Sequence, residues 1–166
     1  MKLVKPSLAY QNSYYRYIKE LGEEERYPFP LDFAYDDFDA LLEKLEKFAL
    51  GEKLPKGYVP STTFWLVEKE EIIGVTNLRH NLNKQIMFCG GHIGLSIRPS
   101  QRGKNLGYKL MNLSIRKLHD MGVNQIHIHC HKSNLKSAKI IMNNGGVLDS
   151  EINDNGEIVQ RYIIED

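Results

Sequence analysis

Two basic side chains flank a glycine in the stretch Gln101-Arg102-Gly103-Lys104-Asn105-Leu106-Gly107. The turn is polar, and a helical pattern follows it. Such a turn presents the free N–H groups of a helix N-terminus beside two cations, which is a physical recipe for holding a phosphate or pyrophosphate. The same turn could serve only to cap the helix. It is not a P-loop, because the GxxxxGK[ST] spacing is absent, and it is not a dinucleotide fingerprint, because GxGxxG is absent. A second group of reactive side chains lies just upstream. His80 and His92 carry imidazoles whose ordinary pKa near 6.5 suits a general base at neutral pH. Each could equally be a hydrogen-bonded structural histidine. Arg79, next to His80, could bind a substrate carboxylate or pair with a surface acid. Three histidines, His127, His129 and His131, alternate with Ile126, Ile128 and Cys130. That ladder could hold a metal, but a half-solvated strand has the same pattern. No carboxylate or further histidine is paired with it, so no metal is expected.

These groups need elements to position them. Ile93, Leu95 and Ile97 alternate with Gly94, Ser96 and Arg98, the period of a strand, and Pro99 stops it. After the turn, Leu106, Leu110, Leu113, Leu118 and Met121 recur at helical spacing up to Gly122. Upstream, residues 2–5 read as a first strand, with Ser7 as the N-cap of a helix that carries Tyr10, Tyr14, Tyr17, Ile18 and Leu21. The tyrosines of that helix read as core and rim packing, or one phenol lines a substrate site. A second helix is expected over residues 36–50. The acids around it, Glu23, Glu24, Glu25, Asp36, Asp37 and Asp39, could draw a cationic amine or form a solvated surface. Residues 62–67 and 72–78 form a hairpin, and residues 81–88 read as an irregular loop. Ser133 or Asn134 caps a helix ending at Gly145. A hairpin turned by Asn153-Asp154-Asn155-Gly156 closes the chain.

The chain has 166 residues, a length that fits a single domain with a proper core. A net charge of +1 gives no reason to expect nucleic acid or a membrane surface as partner. Cys89 and Cys130 lack metal-site spacing and read as free thiols of a reducing cytoplasm. No apolar run approaches the length of a transmembrane helix, and residues 1–5 are too short and too charged for a signal peptide.

The stretch IRPSQRGKNLGYKLM resembles the acyl-CoA signature of the GNAT superfamily of N-acetyltransferases, R/Q-x-x-G-x-G/A between a strand and a helix. Arg102 takes the first place and Gly107 the last. Asn105 stands where the first glycine is usual, and asparagine tolerates the left-handed backbone such a place asks for. Asn134-Leu135-Lys136-Ser137 and Asn143-Asn144-Gly145-Gly146 are similar to a later helical segment of the family. LRHNLN, GGHIG and SAKIIMNNGG resemble a group of bacterial GNAT proteins of undefined substrate. The resemblance covers residues 60–166 well and the N-terminal third loosely. It implies a mixed α+β fold, with a central, mostly antiparallel sheet of six or seven strands flanked by four helices.

The resemblance also implies a chemistry. Acetyl-CoA would be the cosubstrate. Its pyrophosphate would sit on Arg102, Gly103, Lys104, Asn105, Leu106 and Gly107, with Tyr108 packing nearby or touching it, and Asn134 and Ser137 would also contact the cofactor. The pantetheine amides would pair with strand backbone around Leu95, Ser96 and Ile97, and a strand N–H near Leu95 would receive the oxyanion. Acyl transfer from a thioester to an amine also needs a proton acceptor, with His80 and His92 as candidates, and Arg79 and His80 would meet the acceptor. Many family members protonate the departing thiolate with a tyrosine seven residues after the helix-capping asparagine. Here that place is Ile141. The first reading is thus an N-acetyltransferase acting on a primary amine of a small molecule or peptide, by direct attack in a ternary complex. No cysteine sits in a motif for a covalent intermediate. The second reading is a non-catalytic acyl-CoA-binding sensor or interaction module, favoured by Asn105 and Ile141. A phosphate- or nucleotide-binding domain of another type is a third. A homodimer through the C-terminal hairpin is expected from the family and from that hairpin's exposed edge.

Overall fold

The computed structural model describes residues 1–166. Seven strands form two antiparallel sheets. The first has the order β1-β2-β3-β4, built from β1 (Lys2–Val4), β2 (Ser61–Glu68), β3 (Glu71–Arg79) and β4 (Ile93–Ile97). The second has the order β5-β7-β6, from β5 (Gln125–His131), β6 (Val147–Asp154) and β7 (Glu157–Glu165). Five α-helices accompany them: α1 (Gln11–Leu21), α2 (Phe38–Leu50), α3 (Lys84–Phe88), α4 (Leu106–Asp120) and α5 (Leu135–Asn143). The expected mixed α+β architecture of seven strands is present.

Three local expectations are corrected. Ser7 precedes a short 3-10 turn, and its side chain caps nothing; α1 begins only at Gln11. The second helix starts at Phe38, because the Asp37 carboxylate accepts from the Ala40 N–H and fixes the start there. The stretch expected as an irregular loop contains α3, whose start is set by Asn83 accepting from the Ile86 N–H.

The core lies on both sides of the first sheet. α1 and α2 bury Tyr14, Tyr17, Leu21, Leu41 and Leu45 against Trp65 and Val75. On the other side, α4 and α5 place Met111, Leu118 and Ile141 against Leu78, Ile126 and Tyr162, joining the two sheets. Tyr14 and Tyr17 of α1 are thus packed in this core, and the buried Tyr17 hydroxyl also reaches Ser96 Oγ in β4 at 2.9 Å.

β4 is the element that positions the site. It pairs with β3 in the register Gly74–Ile97 through Leu78–Ile93, and Ile93–Ile97 pair with nothing on the other edge. Backbone contact between the sheets is concentrated just before β4, around a bridge between Gly91 and Ile128. His92 N–H donates to the His127 carbonyl at 2.7 Å, and His92 Nδ1 accepts from the His127 N–H at 2.9 Å. Gly91 is required there. A Cβ at that position would stand 2.5 Å from the His127 carbonyl oxygen, and its φ is +70°. The far end of β4 is held by Arg98, which is buried and paired with Glu20 of α1 and Glu71 of β3, each at 2.7 Å. Glu20 also accepts from the Ser100 N–H at 3.1 Å, so α1 fixes the start of the basic turn.

Candidate active site

Beyond the Gly91–Ile128 bridge, β4 and β5 enclose a cleft of about 570 Å³. One wall comes from β4 and the basic turn, through Ser96 and Arg102. The opposite wall is His129, Cys130 and His131 of β5, with Asn134 and Ser137 at the start of α5. Glu24, Glu25 and Tyr27, from the connection between α1 and α2, close a third side.

The basic turn has the backbone its sequence requires. Gly103 has φ +78° and Asn105 lies in the left-handed region at φ 58°, ψ 21°; α4 then begins at Leu106. No side chain caps the first turn of α4, so its N–H groups remain open. Arg102 Nε donates to the Ile97 carbonyl at 3.0 Å, which folds the side chain back over the end of β4. Its other two nitrogens make a two-pronged contact with the Glu24 carboxylate at 3.1 and 2.8 Å. Arg102 holds that carboxyl below the usual carboxylate range. A pyrophosphate on this turn must therefore take Arg102 from Glu24. Lys104 Nζ is held by Gln101 Oε1 at 3.0 Å. Leu106 is buried, and Gly107 lies where a Cβ would be 3.0 Å from Ile140 Cδ1 of α5. Tyr108 contributes a carbonyl that accepts from Asn144 Nδ2. Asn134 Oδ1 accepts from the Ser137 N–H at 3.1 Å, making it the cap of α5 while both residues line the cleft.

The structure thus gathers Ser96, Arg102, Asn134 and Ser137 on one cleft; Gly103, Lys104, Asn105 and Leu106 follow Arg102 in the chain but do not line it. Leu95 and Ile97 lie on the same strand. His80 and His92 do not line it. His80 Nε2 lies 2.7 Å from Thr62 Oγ1, and burial lowers its pKa. His92 is buried at the junction of the two sheets. Its Nδ1 lone pair is taken by the His127 N–H, and burial pushes its pKa down to about 4. Arg79 lies behind Gly90, with Nη1 donating to the Gly91 carbonyl at 2.8 Å.

Three cleft groups have contacts that the sequence reading did not give them. His129, read as part of a solvated face, is 91% buried, and its Nδ1 accepts from the Gly90 N–H at 2.9 Å. Burial lowers its pKa to about 4, so the neutral ring carries its proton on Nε2, and that N–H has no partner. Tyr27 is exposed along its ring, yet its hydroxyl is enclosed, 3.1 Å from where a Cβ at Gly94 would stand. That enclosure raises the phenol pKa. Glu24 is the third, through Arg102. None of these has a local signal, because each meets its partner from a distant stretch of chain.

An edge strand opening on a cleft, a basic left-handed turn and an uncapped helix are thus brought together. The acetyltransferase (GNAT) domain model matches residues 11–147, and the chain belongs to the GNAT family of acetyltransferases. Solved structures share the fold. A mutant of spermidine N-acetyltransferase SpeG from Vibrio cholerae is 16% identical, covering 99% of this chain and 95% of that one, with a TM-score of 0.68. The microcin self-immunity acetyltransferase MccE, in complex with acetyl-CoA and AMP, is 19% identical over 98% of this chain and 91% of its own, with a TM-score of 0.70. The ribosomal-protein alpha-N-acetyltransferase RimL, in complex with coenzyme A, is 13% identical over 98% and 92%, with a TM-score of 0.69. No curated protein matches the chain in sequence. No helix is long and apolar enough to cross a membrane.

Proposed function

We propose that the protein is an acetyl-CoA-dependent N-acetyltransferase that acts on a primary amine of a small molecule or peptide. Its place of work would be a reducing cytoplasm, in keeping with the free thiols of Cys89 and Cys130. The observation that carries the reading is the cleft, which runs along the unpaired edge of β4 from Arg102 to Cys89. Its groups fit the cosubstrate. Arg102, Lys104 and the open N-terminus of α4 hold the pyrophosphate, and the β4 edge around Leu95, Ser96 and Ile97 pairs with the pantetheine amides. His129 lines the cleft, and its buried Nε2–H has no protein partner.

The transfer is a direct displacement. The amine lone pair attacks the thioester carbonyl carbon and forms the C–N bond. The oxyanion is received by a strand N–H near Leu95. The C–S bond then breaks, the sulfur keeps the electron pair, and the proton lost by the amine balances the thiolate. With His80 and His92 outside the cleft, water takes the amine's proton. Tyr27, whose hydroxyl is protonated, gives its proton to the thiolate in place of the tyrosine that Ile141 replaces, and the water that took the amine's proton returns it to the Tyr27 phenolate.

Thermal unfolding with millimolar acetyl-CoA, CoA and ATP tests the donor site. A ligand at about 100 times its Kd adds roughly 2.7 kcal/mol, which is several degrees. A rise with acetyl-CoA and CoA but not ATP is expected, followed by release of CoA thiol when amines are added. No rise with any of the three would overturn the assignment of the turn. A rise with no thiol released by any amine would leave a binding module.

A further inference from the structure

A second cavity, of about 270 Å³, lies across the Cys89–Gly91 segment from the donor cleft. Cys89 lines both. Phe29 and Tyr58 form an aromatic wall, with ring centroids 5.2 Å apart. Arg79, Lys56 and Gln85 supply the polar lining, and no carboxylate lines the cavity. Among the arginines that are withdrawn from water, Arg98 is met by two carboxylates. Arg79 is met by none. No carboxylate lies within the 4 Å of an ion pair; its protein partners are the Gly91 carbonyl and the Phe29 ring, 6.0 Å from the guanidinium. Burial without a compensating charge lowers its pKa. A withdrawn cation without a counter-charge is costly, and a fold keeps one where a ligand supplies the anion.

The position fits an acceptor. The basic turn is at one end of β4 and Arg79 is at the other, so five residues of strand, about 17 Å at 3.3 Å per residue, separate the two. We propose that the cavity beside Arg79 receives an anionic group of the acceptor, so that the substrate is an amine that also carries a carboxylate or phosphate. This rests on the acetyltransferase reading above and narrows it. A guanidinium offers two parallel donors to either anion, and Lys56 adds a second positive charge at the rim. A polycation would meet two like charges there, which sets this site apart from one built for spermidine.

The test compares matched amines by CoA release: glycine against glycinamide, phosphoethanolamine against ethanolamine, and spermidine. The anionic member of a pair should have the higher kcat/KM by about 10- to 100-fold, the scale of a charged hydrogen bond. Whether the carboxylate or the phosphate pair shows the larger ratio identifies the anion. Arg79→Met should bring the ratio close to one, and Arg79→Lys should keep part of it, while the stabilisation by acetyl-CoA stays as in the wild type. Equal rates within each pair, a preference for spermidine, or a ratio unchanged in Arg79→Met would overturn the proposal. A second measurement does not depend on turnover. N-acetylglycine titrated into the protein should shift the NMR signals of the Gly90 and Gly91 amides in the wild type and not in Arg79→Met. If no amine is acetylated, the acetyltransferase reading fails, and the anion pocket stands or falls on that titration.

Discussion

Tyr27 and Arg102 show how far single side chains could be understood in advance. Arg102, Asn105 and Gly107 are legible because their work is local: a cation, a left-handed residue and a small residue within one turn. Tyr27 is not, because its hydroxyl gains meaning only from Gly94, which is far along the chain and leaves the room it occupies. The same holds for Glu24, whose carboxylate meets Arg102 across 78 residues. If Tyr27 is the proton donor to the thiolate, Tyr27→Phe keeps the ring and removes only the proton. The expected result is a fall in kcat of roughly 100-fold, the lower end of what a positioned acid contributes, with KM for acetyl-CoA unchanged. An unchanged kcat in steady-state assays would remove Tyr27 from the mechanism.

At the scale of elements, the strands and long helices follow from hydrophobic period and turn residues, whereas α3 does not. It has five residues, too few to show a helical period, and depends on the Asn83 cap. The alternation of β5 was legible but the burial of His129 was not, since the first sheet covers one end of that strand. His92 and His129 together form a reciprocal joint, each accepting a backbone N–H from the other side. Burial is the main reason that both have pKa values of about 4, with His127 and Arg79 adding to it for His92, and Arg161 and His127 for His129. In the unfolded chain they titrate near 6.5. Between these values the unfolded chain binds protons that the folded chain refuses. The contribution is therefore complete above about pH 6.5 and is lost as the pH falls towards 4. Melting temperature should drop over that window, and His92→Asn should flatten the drop. A melting temperature that is level from pH 6.5 to 4.5 would show that the joint tolerates protonation.

For the whole molecule, the family's architecture was legible from one signature and the alternation of strands around it. The division into two sheets that meet at one bridge was not, because it depends on the close approach of Gly91 to His127. β6 is the outer strand of its sheet, and Val147 is 70% exposed on it. A strand edge of this kind can pair with a second copy across a two-fold. Sedimentation should give twice the 19.2 kDa chain mass, and Val147→Lys should return it to the single-chain value without changing the stabilisation by acetyl-CoA. A wild type that sediments as one chain would remove the dimer.

The cleft and the Arg79 cavity adjoin at Cys89 but open on different sides of it, and this has a consequence for traffic. If the cleft takes the donor and the Arg79 cavity the acceptor, each has its own opening, and the acetylated product would leave past Arg79 while CoA still occupies the turn. Initial-rate lines at varied amine should then intersect rather than run parallel. CoA should compete with acetyl-CoA and not with the amine.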